Sequence, residues 1–116
     1  MTRVLIYGGR DWVDSTATFD FLNKLDLPWD TTVITGMARG ADSLGKEWAI
    51  ENNLGVDRFP ADWEKHGKAA GAIRNQQMLD SGVDYAVQFP GGNGTADMRR
   101  RLDKAGVKVY EYEGGG

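Results

Sequence analysis

Short apolar runs that stop abruptly at glycine or proline alternate along this chain with longer segments of helical character. Five of these runs predict strands, over residues 4–7, 32–35, 56–59, 85–89 and 107–112. The first and fourth runs are almost continuously apolar, which is typical of parallel strands covered on both faces. Strands that alternate with helices of about 10–15 residues predict βαβ units. We therefore expect an α/β fold, a three-layer domain around a parallel sheet of about five strands.

The helical segments lie between these strands. Apolar residues repeat at helical spacing from Ala41, and a similar stripe runs from Thr95 to Ala105. A first helix is expected from about Asp14, a residue type that caps helix N-termini. The stretch 69–79 is helical by composition but only weakly periodic. The fifth strand contains charged residues and is expected nearer a sheet edge, and analogy with open parallel sheets gives the strand order 3-2-1-4-5.

Size and charge limit the functions open to the chain. Its 116 residues make one ordinary domain, expected to span residues 1–112, with a flexible glycine-rich tail at 113–116. The 14 Lys and Arg against 17 Asp and Glu give a net charge of −3, which argues against general nucleic-acid binding. No apolar run approaches the roughly 20 residues of a membrane span. Cysteine is absent and no export signal is visible, so we expect a cytosolic protein without membrane contact or disulfides.

Four clusters of Gly, Pro, Arg, Asp and Trp each follow a predicted strand and precede a predicted helix. They occupy residues 8–12, 36–42, 60–63 and 90–95. In an open parallel sheet these positions share one rim, where ligands bind at the point at which the strand order reverses. With the expected order, that point lies between the first and fourth strands, and the two double-glycine loops face each other across it.

The fourth cluster has the composition of a phosphate-binding loop. Gly91, Gly92 and Gly94 remove side chains that would keep an oxyanion from the backbone. The loop opens into a helix whose free N–H groups and dipole attract anions. Thr95 is expected to cap that helix and to donate to a phosphate oxygen. The simpler alternative is a tight turn that needs glycine at positive φ, but similar chemistry in three further rim clusters favours a nucleotide or phosphate site.

Arginine and tryptophan side chains in or next to these clusters strengthen the interpretation. Arg10, Arg39 and Arg74 suit bidentate phosphate binding. The alternative for each is an ion pair with a rim aspartate, of which there are three: Asp11, Asp42 and Asp62. Trp12 and Trp63 are candidates for stacking on a base, with burial in the core as the alternative.

Other familiar sites are disfavoured. Residues 40–46 have the spacing of a phosphate-binding P-loop, but Glu47 stands where a magnesium-binding hydroxyl is needed. The single histidine, His66, has the context of a surface residue. Nothing has the spacing of a transition-metal site, so we expect no metal and no required cofactor beyond a nucleotide ligand.

Four motifs together resemble one family. They are GGRDW at 8–12, TGMARGAD at 35–42, FPADWEKHGKAAGAIRNQQM at 59–78 and FPGGNGTADM at 89–98. They resemble the YspA-like, cpYpsA-related branch of the SLOG superfamily, the Smf/DprA and LOG group of Rossmann-like proteins, over residues 3–110. The resemblance implies a Rossmann-like fold that binds nucleotides or nucleotide-derived ligands at the rim. It also favours a homo-oligomer, a dimer or tetramer.

The resemblance also raises an enzymatic alternative. LOG enzymes cleave the N-glycosidic bond of nucleoside monophosphates, and their motif is similar to residues 90–95 but continues to a catalytic glutamate. Here that position is Met98, and the adjacent Asp97 is turned about 100° around the helix. A hydrolase of this phosphoribohydrolase type would need Asp11, Asp42 or Asp62 in place of the glutamate.

The leading interpretation is a protein that binds a nucleoside monophosphate, ADP-ribose, NAD or a signalling derivative as a sensor, carrier or sequestering protein. The phosphate is expected over the fourth cluster, and Asp42 or Asp62, assisted by Asn75, is expected to accept from ribose hydroxyls. The predicted ligand-binding residues are Gly8, Gly9, Arg10, Asp11, Gly36, Arg39, Gly40, Asp42, Asp62, Trp63, Arg74, Asn75, Pro90, Gly91, Gly92, Gly94 and Thr95. A third possibility is an interaction module whose rim binds protein.

Overall fold

A computed structural model describes residues 1–113; residues 114–116, most of the predicted tail, lie outside the described residues. Its five strands are β1 (Thr2–Tyr7), β2 (Thr31–Thr35), β3 (Gly55–Arg58), β4 (Tyr85–Gln88) and β5 (Lys108–Glu111). All pairings are parallel, in the order β3-β2-β1-β4-β5. The predicted fold class and strand order are therefore confirmed, and β5 lies at an edge as expected.

The connections are helical. The helices are α1 (Ser15–Lys24), α2 (Ala41–Glu51), α3 (Trp63–His66), α4 (Ala70–Asp80) and α5 (Asn93–Lys104), with a 3₁₀ turn at Gly67–Ala69 between α3 and α4. Asp14 caps α1 as predicted, because its carboxylate accepts from the Ala17 N–H at 3.0 Å. The sequence did not predict α3 or the 3₁₀ turn. None of the helices within residues 1–113 combines the length and apolar composition that a bilayer span requires.

The sheet lies between two helical layers, so the core has two halves. Alternate residues of β1 point to opposite faces. Val4 and Ile6 pack with buried residues of α1 and α2, whereas Leu5 and Tyr7 pack with buried residues of α4 and α5. Burial on both faces explains why β1 and β4 are almost continuously apolar. The rigid sheet thereby holds the four strand-to-helix loops along its carboxyl edge.

The start of α5 differs from the prediction. Thr95 was expected to cap the helix, but the helix begins at Asn93 and Gly92 is its N-cap, with no capping side chain. The prediction was wrong because a glycine cap leaves no side-chain signal in the sequence. Thr95 instead sits in the first turn, and Met98 and Leu102 form the predicted buried stripe further along α5.

Candidate functional site

A cavity of about 560 Å³ opens at the carboxyl ends of β1, β2 and β4. The β1–α1 loop, α4 and the first turns of α5 surround it. Its lining residues are Tyr7, Gly8, Gly9, Arg10, Ala38, Asp42, Trp63, Lys68, Gly71, Ala72, Arg74, Asn75, Met78, Gly92, Asn93, Gly94, Thr95, Asp97 and Met98. The volume lies in the range of small-molecule sites.

Two double-glycine loops meet at one side of the cavity. The Gly9 N–H donates to the Pro90 carbonyl at 2.9 Å. A Cβ added to Gly9 would lie 2.8 Å from the Gly91 Cα, and one added to Gly8 would lie 2.8 Å from the Ala41 Cβ. The loops after β1 and β4 therefore need glycine in order to touch. Gly8, Gly9 and Gly92 line the cavity, whereas Gly91 lies outside the lining and packs against Gly9.

The N-terminus of α5 presents free hydrogen-bond donors. The first helical backbone bond runs from the Ala96 N–H to the Gly92 carbonyl at 3.0 Å, so the three preceding amides have no acceptor among residues 1–113. Thr95 is 7% exposed and lines the cavity, and its hydroxyl has no hydrogen-bond partner in that part of the chain. A Cβ added to Gly92 or Gly94 would meet no atom within 4 Å. The space over this turn is therefore open, and the groups that border it donate to anions.

Three cations line the cavity without a carboxylate partner. Within the described chain, no ion pair includes Arg10, Lys68 or Arg74. Arg10 lies over the Trp63 ring, with 5.4 Å from its Cζ to the ring centroid. Arg74 donates through Nη1 to the Gly36 carbonyl, and through Nε to Asn75 at 3.2 Å. Burial lowers the pKa of the Arg74 guanidinium below its ordinary value, so this cation is held partly desolvated beside the cavity.

Asp42 is the buried acid of the site. It is 5% exposed in the first turn of α2, and its Oδ2 accepts from the Ala38 N–H at 3.2 Å. Burial raises its pKa to about 6, against the opposing effects of that hydrogen bond and of the Arg74 and Arg10 charges. Its carboxyl group thus titrates nearer neutrality than an ordinary aspartate.

Asp97 has a different environment, although it also lines the cavity. It accepts from Arg101 Nε at 2.8 Å and from Asn75 Nδ2 at 3.0 Å. The Arg101 hydrogen bond is the main cause of its lowered pKa. The next residue, Met98, is 1% exposed and packs with Leu102 in the core. The α5 side of the cavity therefore offers no carboxyl group poised to give up or take a proton.

The structure brings ten of the predicted binding residues together in the cavity lining: Gly8, Gly9, Arg10, Asp42, Trp63, Arg74, Asn75, Gly92, Gly94 and Thr95. The other predicted residues lie around it. Asp11 and Arg39 form an exposed ion pair of 3.2 Å outside the cavity, and Asp62 caps α3 by accepting from the Lys65 N–H at 3.1 Å.

The remaining predicted glycines and proline support the loops. Gly36 lies against Arg74 and Asp42, and Pro90 and Gly91 contact Gly9. Gly40 has a φ of 80°, a conformation that favours glycine, and an added Cβ there would collide with the Gly9 carbonyl.

The two rim tryptophans have separate roles. Trp12 stacks on Phe89 with 5.8 Å between ring centroids, and its Nε1 donates to Thr18 Oγ1 at 2.7 Å. It belongs to the aromatic part of the core and does not line the cavity. Trp63 is half-exposed and borders the cavity, which leaves it the one tryptophan of the described chain placed to contact a ligand there.

Of the wall formed by α4 and the 3₁₀ turn, sequence reasoning predicted Arg74 and Asn75 but missed the other lining residues. Lys68, Gly71, Asn75 and Met78 all line the cavity. Their spacing of three, four and three residues places them on one helical face. That polar and small-residue face was the available signal, but it is too weakly apolar to stand out as a stripe.

Three comparisons relate the chain to known proteins. A family model described as YAcAr, the YspA, cpYpsA-related SLOG family, matches residues 2–66. The Gene 61 protein of Mycobacterium phage D29 is 40% identical over 121 residues, a match that covers 97% of each chain. The X-ray structure of DNA processing protein A from Streptococcus pneumoniae matches with a TM-score of 0.55 at 13% identity, over 94% of this chain and 58% of that one. The last likeness concerns the fold alone.

Proposed function

This chain belongs to the YspA, cpYpsA-related SLOG family, and from that premise we propose that it binds a nucleotide or nucleotide-derived ligand in the cavity. One observation carries the proposal: free donors at the α5 N-terminus and three cations without carboxylate partners border the same open space. Both features favour an anionic ligand.

The phosphate is proposed to lie over the first turn of α5. There it accepts from backbone amides and from the Thr95 hydroxyl, which borders the cavity and has no hydrogen-bond partner within residues 1–113. Arg10, Lys68 and Arg74 offset its charge. Trp63 offers an aromatic face at the border of the cavity for a base, as the sequence predicted for a rim tryptophan.

Binding without conversion is the activity that the residues at the catalytic position on α5 favour. Met98 has no acid–base chemistry, and Asp97 is fixed by Arg101 and Asn75. A protein of this kind acts as a sensor, carrier or sequestering protein for a nucleoside monophosphate, ADP-ribose, NAD or a related signalling nucleotide.

A thermal-shift experiment with those nucleotides tests the proposal, because a ligand that binds only the folded state raises the melting temperature. We expect at least one of them to stabilise the wild-type protein. Gly92→Asp should abolish that shift, since its carboxylate would enter the open space over α5, whereas the matched Gly92→Ala should keep most of it. No shift by any nucleotide, or equal shifts in all three proteins, would overturn the proposed site.

A hydrolase of N-glycosidic bonds is the second candidate, and one observation favours it. Of the three aspartates proposed to replace the glutamate, Asp42 alone lines the cavity, and burial raises its pKa to about 6, a value suited to proton transfer near neutral pH. Incubation with nucleoside monophosphates and NAD, followed by chromatography, separates the two functions. Release of free base that is lost in Asp42→Asn would establish the hydrolase, and unchanged bound ligand would support the binding protein.

We also propose self-association, as a dimer or tetramer. The resemblance to related folds led to this expectation, and the 91% exposure of Trp29 provides a large apolar side chain for such a contact. Light scattering coupled to size-exclusion chromatography measures the stoichiometry, and a monomer at all concentrations would contradict it.

A further inference from the structure

We propose that Asp42 selects ligands with a free ribose hydroxyl, so that the cavity takes ribonucleotides in preference to nucleotides whose sugar lacks hydroxyls. This inference rests on the proposed function and deepens it, since it assigns the sugar-binding position within the same cavity.

The carboxylate of Asp42 has one oxygen in use and one oxygen available. Oδ2 accepts from the Ala38 N–H, whereas Oδ1 has no hydrogen-bond partner within residues 1–113. Thr31 Oγ1 is the one fully sealed side-chain polar atom without a partner in that range, so Oδ1 must reach open space. The open space that Asp42 borders is the cavity. A buried side chain therefore offers an unused acceptor to whatever binds there.

The other aspartates considered for this role are engaged or lie elsewhere. Asp62 is exposed and caps α3, and the side chain of Asp11 is 96% exposed beside Arg39. Asp97 borders the cavity, but Arg100, Arg101 and Asn75 occupy its two oxygens. Of these four aspartates, Asp42 is thus the one that combines a place in the cavity lining with an unused carboxylate oxygen.

The charges around Asp42 decide which part of a nucleotide faces it. Arg74 from α4 and Arg10 from the β1–α1 loop are the charged groups that act on it. An ionised carboxylate repels a phosphate oxygen, and the free amides of α5 provide the alternative seat for that phosphate. The group that fits against Oδ1 is therefore an uncharged donor, and in a nucleotide with its phosphate over α5 that donor is a sugar hydroxyl.

The test compares AMP, GMP, CMP and UMP with their 2′,3′-dideoxy counterparts by isothermal titration calorimetry. A hydrogen bond to a charged group predicts that the ribonucleotide binds about ten- to hundredfold more tightly than its dideoxy counterpart. Asp42→Asn should reduce that preference to the few-fold effect of a neutral hydrogen bond, because the amide oxygen can retain the Ala38 N–H while the NH₂ group replaces the charged acceptor. Asp62→Asn is the matched control, and it should keep the wild-type preference.

Each outcome decides the inference. Equal binding of ribo- and dideoxynucleotides by the wild-type protein overturns it and leaves the proposed function standing, and this comparison needs no variant to fold. Equal tightening of both nucleotides in Asp42→Asn also overturns it, because Asp42 would then act only as a countercharge. If no nucleotide binds the wild-type protein, the inference falls together with the proposed function.

Discussion

At the scale of single residues, the burial of Asp42 opposes the ionisation of its carboxyl group. Its pKa in the folded protein is about 6, against an ordinary value of 3.8. The folded state therefore binds this proton more tightly than the unfolded state, so the ionised group destabilises the fold above about pH 6. That destabilisation, about 3 kcal/mol by the difference in pKa, is relieved as the pH falls from about 6 to about 4.

We expect Asp42→Asn to raise the free energy of unfolding by up to about 3 kcal/mol at about pH 7.5, and by much less at about pH 4.5. The amide carries no charge, but it keeps the acceptor for the Ala38 N–H. Urea unfolding of the wild-type protein and the variant at both pH values measures the difference in their free energies of unfolding. Groups that titrate alike in the two proteins do not contribute to this difference. A difference that does not change with pH would show that Asp42 ionises freely in the folded protein.

Gly91, in the loop before α5, and Gly94, in its first turn, differ in what they contact, and this difference predicts different tolerances to substitution. A Cβ at Gly91 would lie 2.6 Å from the Gly9 N and would also collide with the Thr95 hydroxyl, whereas a Cβ at Gly94 would meet nothing within 4 Å. Gly91→Ala should therefore lower the free energy of unfolding by about 1–3 kcal/mol, and Gly94→Ala should leave it unchanged or slightly raised. Chemical denaturation checks both. Equal stability of the two variants would contradict the close contact between the loops.

At the scale of elements, Asn75 joins α4 to α5 and orients Arg74. Its Nδ2 donates to Asp97 at 3.0 Å, and its Oδ1 accepts from Arg74 Nε at 3.2 Å. Asn75 is buried, so its loss removes both hydrogen bonds, and Arg74 is then held only through the Gly36 carbonyl. We expect Asn75→Ala to lower the free energy of unfolding by about 1–3 kcal/mol and to weaken nucleotide binding.

The neighbouring amide Gln76 provides the control for that prediction. It also reaches α5, where its Oε1 accepts from Arg101 at 2.8 Å, but it does not line the cavity and makes no hydrogen bond to Arg74. Gln76→Ala should therefore change nucleotide affinity little. Urea unfolding of both variants measures how far the α4–α5 contact is weakened, and calorimetry measures the affinity for nucleotide. If the two variants lose affinity equally, Asn75 has no specific role in orienting Arg74.

Among the predicted elements, β1, β4 and α5 are those whose burial leaves a pattern in the sequence. β1 and β4 are buried on both faces, and α5 carries its stripe through Met98 and Leu102. Residues 63–69, by contrast, fold into α3 and the 3₁₀ turn although none of them is buried, so they leave no apolar periodicity. The same holds for helix caps. The Asp14 cap of α1 can be predicted from its side chain, whereas the Gly92 cap of α5 has no side chain to indicate it.

The sequence predicted that the site lies at the rim of strand-to-helix loops, but it did not predict which side chains of the rim face the cavity. The topology places all strand-to-helix loops at one sheet edge, and that much follows from the alternation of elements. Whether an arginine faces the cavity depends on local partners: Arg74 is held inward by Gly36, whereas Arg39 turns outward to Asp11. Sequence spacing contains no information about these contacts.

At the scale of the whole molecule, the cavity brings together three cations without carboxylate partners in a protein that is acidic overall. The protein as a whole has a net charge of −3. The run of three arginines on α5 does not form a free basic face: Arg99 pairs with Asp103 and Glu111, and Arg100 and Arg101 pair with Asp97. The cations that lack carboxylate partners at the site are Arg10, Lys68 and Arg74, which line a cavity of about 560 Å³.

This distribution predicts that the protein discriminates between mononucleotides and nucleic-acid strands, whatever the fold likeness to DNA processing protein A. Nonspecific nucleic-acid binding needs many cations along an extended surface and gains its affinity from released counterions. Here the excess of acidic residues repels a polyanion, while a single nucleotide can enter the cavity. We expect fluorescence anisotropy to detect no saturable binding of single- or double-stranded oligonucleotides below about 100 μM at about 0.15 M salt. Tight oligonucleotide binding that weakens steeply with added salt would instead reveal a basic surface. The anion-binding site would then be that surface and not the cavity.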